Sequence, residues 1–271
     1  MPVLYIVATP IGNLEDISLR AIRVLGEVGL IAAEDTRRTK HLLNKYEIKK
    51  PLTSYHEHNK ITKLDYLLDK LKEIDVALVS DAGTPGISDP GYELVSAAVA
   101  GGIKVVPIPG PSSLITALAV AALPADRFLY IGFLATKSGE RKKQLEAITA
   151  ETGSILALET PHRLRAALVD ILTTLGDRRI SVCRQLTKLH EEVFRSTVSA
   201  ALEHFTSPRG EFVLVIDGAA EQKEKEITPQ IINRLEELKK EGKKAREATT
   251  QLAQESGISR RLLYRVWLKL A

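Results

Sequence analysis

Cysteine is almost missing from the 271-residue chain. Cys183 stands alone, which excludes an internal disulfide and any cysteine-rich metal cluster and agrees with a reducing compartment. Its expected role is that of a small buried hydrophobe. Long hydrophobic runs are missing too: no apolar stretch approaches the length that spans a bilayer, and Met1-Pro2-Val3-Leu4 leads into a strand with no basic region before it. A cytoplasmic protein that does not engage a membrane is expected. What the chain does have is an ordinary globular composition, 44% hydrophobic and 27% charged, so core formation is not in question. Its length allows two domains or one large one.

The net charge of +4 conceals an asymmetry. From Lys243 to Ala271, seven Lys and Arg stand against Glu247 and Glu255, a balance of +5 that leaves residues 1–242 at −1. A basic tail on a near-neutral body points to contact with a polyanion.

Short apolar runs alternate with helical periodicity along the body, the pattern of an α/β fold. Leu4 to Ala8 reads as a strand covered on both faces and enters the loop Thr9-Pro10-Ile11-Gly12-Asn13-Leu14-Glu15-Asp16 before a helix that Ser18 caps. Leu30 to Ala33 is a second strand, ending in Glu34-Asp35-Thr36-Arg37-Arg38. This cluster has two readings, a functional strand end or surface charge. Ser54-Tyr55-His56-Glu57-His58-Asn59 follows a brief apolar segment. Its two histidines lack a third ligand, so no metal is expected. Ile61 to Glu73 has helical spacing.

Val76 to Val79 then enters Ser80-Asp81-Ala82-Gly83-Thr84-Pro85-Gly86-Ile87-Ser88-Asp89-Pro90-Gly91, ahead of an amphipathic helix from Tyr92. Glycine lets a backbone approach a ligand closely and proline stiffens the loop. Ile103 to Val106 enters a third such loop, Pro109-Gly110-Pro111-Ser112-Ser113, where either serine can cap the next helix and meet a polar ligand group. Three loops of this kind at strand ends predict one ligand crevice at the top of a parallel sheet.

Beyond Pro124 the spacing predicts strands at 128–133, 154–159, 180–184, 192–195 and 211–216, with helices at 139–151 and 164–175. The expected organisation is an N-terminal α/β lobe over 1–123, a C-terminal α/β lobe over 124–218, a polar linker over 219–227 and a basic helical module over 228–271. In the module Thr228-Pro229 opens a helix that Gly242 ends, 243–254 forms a second, and Ser256-Gly257-Ile258 turns into a third that Ser259 caps. This is a helix-turn-helix candidate in which Arg260, Arg261 and Arg265 offer phosphate contacts and Tyr264 a stacking surface. A packing module with a solvated basic face is the alternative.

The segments 8–17, 33–37, 54–59, 80–91 and 109–113 closely resemble the ribosomal RNA small-subunit methyltransferase I family, a branch of the tetrapyrrole methylase superfamily. The resemblance covers residues 3 to about 217 and extends, less specifically, to the basic tail. It implies two α/β lobes with S-adenosylmethionine in the cleft between them, 2′-O-methylation of a cytidine ribose in 16S rRNA at the decoding centre of the small ribosomal subunit, and a homodimer. It places Gly12, Gly83, Thr84, Ile87, Ser112, Ser113 and Leu158 around the cofactor. Relatives that methylate tetrapyrroles carry Gly-Asp-Pro in the central loop where this chain has Gly83-Thr84-Pro85, so an acidic contact is missing there, and whether Asp81 or Asp89 replaces it is open.

The chemistry adds its own demands. A methyl on a cationic sulfur is already activated, so the protein chiefly aligns the nucleophile, and a ribose hydroxyl needs a base or a cation beside its developing charge. Asp35, Asp81, Lys188 and Glu191 are the catalytic candidates. Arg37, Arg38 and His56 are candidates for RNA contact. Lys188 and Glu191 pairing with each other on the surface is the plainer alternative. Two other functions compete: a methylase of a tetrapyrrole or other small molecule, and a ligand-responsive nucleic-acid-binding regulator.

Overall fold

A computed structural model describes residues 2–220 and 227–270. In the N-terminal part β1 (Val3–Val7), α1 (Leu19–Glu27), β2 (Leu30–Ala33), α2 (Thr36–Lys45), β3 (Leu52–Ser54), α3 (Leu64–Lys70), β4 (Val76–Val79), α4 (Tyr92–Ala100), β5 (Lys104–Ile108) and α5 (Ser113–Val120) alternate. The strands form one parallel sheet in the order β3-β2-β4-β1-β5. Successive side chains of a strand leave opposite faces. Ala77 and Val79 of β4 therefore join a core with Leu25, Ile31 and Leu43, whereas Val76 and Leu78 join another with Leu4, Leu67 and Leu94. Covering both faces explains why these strands are continuous apolar runs. Pro107 is tolerated in β5 because that strand is an edge.

The next part holds β6 (Phe128–Phe133), α6 (Ser138–Glu146), β7 (Ser154–Glu159), α7 (Pro161–Leu175), β8 (Arg179–Arg184), β9 (Glu192–Thr197), α8 (Val198–His204) and β10 (Phe212–Ile216). Its sheet runs β6-β7-β10-β8-β9, with β6 and β7 parallel and the remaining pairs antiparallel. One face packs on α6, α7 and α8 around Leu164, Leu168 and Leu214. The other face, with Leu156, Cys183, Val213 and Val215, packs against Ile11, Leu114, Ala117 and Leu118 of the N-terminal part. Cys183 is fully buried there, as its composition alone predicts.

Several boundaries differ from the expected ones. The helix expected over 61–73 is regular only in α3, with hydrogen-bonded turns on either side. The helix expected over 139–151 ends at Glu146, and the one expected from 164 begins three residues earlier, where Pro161 takes the first-turn position that lacks a donor requirement. Two helices were not expected at all. α2 opens on Thr36-Arg37-Arg38-Thr39 and buries only Thr39, Leu42 and Leu43, too few apolar positions to show a period, and α8 spans only seven residues.

Between Ala219 and Ala220 the chain divides into two compact units. Of the expected linker 219–227, residues 221–226 lie outside the described residues. The second unit consists of α9 (Pro229–Lys240), α10 (Ala245–Ser256) and α11 (Arg260–Trp267) around Leu235, Leu238, Leu252, Ile258, Leu263 and Trp267. Gly257 adopts φ 71°, the left-handed cap conformation, and the Ser259 hydroxyl accepts from the Leu262 N–H. No helix among the described residues is long and apolar enough to cross a membrane.

Candidate functional site

The neighbouring positions of β1, β4 and β2 bring three loops to one end of the parallel sheet. Thr9 and Gly83 exchange backbone hydrogen bonds of 2.8 and 2.9 Å, so the first loop and the central loop are joined as a single bridge. Gly83 sits at φ 81°, a conformation that favours glycine. The Asp81 carboxylate accepts from the Asp35 N–H at 2.9 Å, and the Glu34 carboxylate accepts from the Asp81 N–H at 3.2 Å, which ties the end of β2 to the same loop. Asp81 also pairs with Arg38 at 3.3 Å.

These loops and the ends of β6, β7, β8 and β10 enclose a cavity of about 320 Å³. Its volume falls at the small end of the usual range for small-molecule sites. Its lining is chemically mixed. Ile11, Leu114, Leu158 and Val213 give an apolar wall, Glu34, Asp81 and Asp89 bring three carboxyl groups from the N-terminal lobe with Arg38 beside them, and Glu159 and Glu211 bring two more from the other lobe. Burial, reinforced by the Glu34 and Asp81 charges, pushes the Asp89 carboxyl up to about 7 against a partly offsetting hydrogen bond from Ser80. Burial likewise raises Glu34. Ser88 and Tyr130 are hydrogen-bonded across the cleft, and burial raises the Tyr130 phenol. Ser112 stands at the N-cap of α5 without capping it, so the hydroxyls of Ser112 and Ser113 and the amides behind them remain available to an acceptor.

The predicted site residues of the first unit divide into three groups. Asp81, Gly83, Thr84, Ile87, Ser112, Ser113, Leu158 and Arg38 all line the cleft. Asp35 and Arg37 do not; they line an adjoining groove together with Arg38, His41 and Asp81. There Asp35 caps α2 by accepting the Arg37 N–H at 2.8 Å, and its side-chain pairing with Arg37 holds the carboxyl well below the usual range. Gly12, Lys188, Glu191 and His56 lie outside the lining of both. Gly12 stands close against the other lobe: a Cβ there would stand 2.5 Å from Lys188 Cγ and 2.6 Å from Thr187 Oγ1. The expected alternative of a Lys188–Glu191 pair is also corrected. Lys188 pairs with Glu211 at 2.7 Å, and Glu191 accepts the Thr187 N–H. His56 contributes a buried Nδ1 with no partner among the described residues. Reading the sequence missed Glu34 as a site residue, although it adjoins Asp35, and missed Tyr130 and Phe133, which carry no local signature. Among the described residues no group of three or more His, Cys, Asp and Glu could hold a metal.

Residues 3–202 match the model of the tetrapyrrole (corrin/porphyrin) methylases. The chain belongs to the tetrapyrrole methylase family. Within it, the chain is 46% identical over 275 residues to the ribosomal RNA small subunit methyltransferase I of Synechocystis, covering all of this chain and 99% of the relative. It is 45% identical to the protein of that name from Halalkalibacterium halodurans, over 97% of this chain and 94% of the other. Proteins of known structure share the fold at low identity. A diphthine synthase superposes with a TM-score of 0.61 at 15% identity over 79% of this chain and 90% of its own. The uroporphyrin III C-methyltransferase of Thermus thermophilus superposes with a TM-score of 0.59 at 18% identity, over 79% and 97%. Tetrapyrrole methylases use S-adenosylmethionine, and the cleft has the groups to hold it: uncapped serines and amides for its carboxylate, carboxyl groups for its cationic centres and an apolar wall for its base.

Proposed function

We propose that the chain is an S-adenosylmethionine-dependent methyltransferase that modifies the 2′-hydroxyl of a cytidine ribose in 16S rRNA of the small ribosomal subunit. The observation that carries this is identity of 46% along the whole chain to a relative named for that RNA, on a fold whose cleft suits the cofactor. When bound, the cofactor supplies a methyl group already activated by its positive sulfur. The chain must therefore bind, orient and exclude water. Gly83 and Thr84 would bring backbone to the ligand, Ser112 and Ser113 would take its carboxylate, and Leu158 would meet its base.

The groove that adjoins the cleft, with Arg37, Arg38 and His41 around Asp35, is where RNA backbone is received. Asp35 and Asp81 are the nearest of the four catalytic candidates to both spaces. Asp35, already held ionised by Arg37, acts as a fixed negative charge that orients donors, and Asp81 bridges the groove and the cleft. Lys188 and Glu191 hold in shape the loop whose Gln185 and Leu186 line the cleft. A homodimer belongs to the same proposal, and exposed Tyr92, Ile115 and Phe128 supply apolar surface of the kind a subunit interface covers. Sedimentation of the pure protein as a monomer at micromolar concentration would remove that part.

Labelled S-adenosylmethionine and small ribosomal subunits test the reading. Label is expected on one ribose, which becomes resistant to alkaline cleavage; label on a small molecule and none on RNA would transfer the chain to the small-molecule methylases. Asp81→Asn is expected to lower turnover by at least tenfold, and unchanged turnover would take Asp81 out of the reaction.

A further inference from the structure

The helical unit contains a second concavity, of about 460 Å³, lined by Arg246, Thr249, Arg260, Arg261 and Tyr264. Arg246 is the second residue of α10, and Arg260 and Arg261 are the first two of α11. Helix N-termini carry partial positive charge, so cations there oppose the local field. Three guanidinium groups nevertheless converge from two such turns. None makes an ion pair among the described residues; in the same unit Arg234 holds Glu237 and Glu241, and Glu255 accepts from Gln251. The lining contains no acid at all. Tyr264, 45% exposed, adds an aromatic face at the rim.

We infer that this notch seats one phosphate of a non-helical RNA segment, with the adjacent base stacked on Tyr264. The choice of RNA rests on the proposed methyltransferase reading; the anion and the stacked base rest on the notch alone. Guanidinium forks match phosphate oxygens. A duplex DNA groove is the poorer fit. Major-groove readers project side chains from a convex helix, whereas α11 is only about 12 Å long and its first two arginines line a hollow. A hollow admits a protruding phosphate and an unstacked base. Arg246 is the new member of this site, and Arg265, about one turn further along the same helix, is absent from the lining and is not part of it.

The test uses the full chain and a single-stranded oligoribonucleotide of about 12 nucleotides, with duplex DNA of the same length as competitor. Arg246→Ala and Arg260→Ala are each expected to weaken RNA binding roughly tenfold and to make the dependence of log K on log salt shallower by about 0.7. Tyr264→Ala is expected to weaken it by a similar factor at unchanged salt slope, and Tyr264→Phe to retain wild-type affinity. Lys240→Ala, the same charge change on α9, controls for bulk electrostatics. Notch variants that behave as Lys240→Ala, or that lose duplex DNA binding while single-stranded RNA binding persists, overturn the proposal. If an alanine variant fails to melt like wild type, Arg246→Lys is read instead, and is expected to keep the salt slope while losing affinity. Wild-type methylation of small subunits with normal RNA binding by the notch variants would defeat this inference alone; lost binding in the variants without any methyl transfer by wild type would defeat the methyltransferase reading alone.

Discussion

Asp89 is held in the cleft as a carboxyl that titrates near 7, and the sign of that shift has measurable effects. Between the ordinary aspartate value near 4 and about 7, the folded chain binds more protons at this position than the unfolded chain does. Stability contributed here therefore falls as pH rises through that window and levels off above it. Asp89→Asn is expected to flatten this part of the pH profile, as read by thermal melts across the window. A cationic ligand favours the ionised form, so at a pH below 7 S-adenosylmethionine binding is expected to release a proton. Calorimetry in buffers of different ionisation enthalpy measures that release, and in Asp89→Asn it should vanish along with much of the affinity. Equal proton release in both proteins would show that another group carries the coupling.

Among the elements, the contact between the first loop and the 185–191 loop is the most demanding. Gly12 lies so close to Lys188 Cγ and Thr187 Oγ1 that Gly12→Ala is expected to cost about 1–3 kcal/mol in denaturant unfolding. The Lys188 stem is flexible and gives way more easily than the Thr187 hydroxyl, which accepts the Asn13 N–H at 3.1 Å. The element pattern itself was largely legible in the sequence. Strands buried on both faces announce themselves as Leu30–Ala33 and Val76–Val79, and Pro/Gly loops mark their ends. α2 was not legible, because a helix that turns most of its surface to solvent over ten residues leaves no period to read. The cleft loops were legible for the same reason the strands were. What escaped was pairing between residues distant in sequence: Lys188 finds Glu211 of its own lobe rather than Glu191, and Tyr130 meets Ser88 of the other lobe across 42 positions of chain. Local spacing carries no information about such partners.

The whole molecule is two compact units, and the division makes a separation of functions testable. A chain truncated after Ala219 keeps the cleft, the adjoining groove and both sheets. It is expected to fold cooperatively and to bind S-adenosylmethionine with affinity near that of the full chain, while methylating small subunits more slowly. Full methylation by the truncated chain would assign RNA recognition wholly to the α/β unit. Within that unit, the reciprocal bonds between Thr9 and Gly83 mean that neither loop can open alone without orphaning the other's amide. The ligand mouth therefore has one latch instead of two hinges. In hydrogen exchange the amides of Thr9 and Gly83 are expected to exchange at a common rate and to slow together when the cofactor binds.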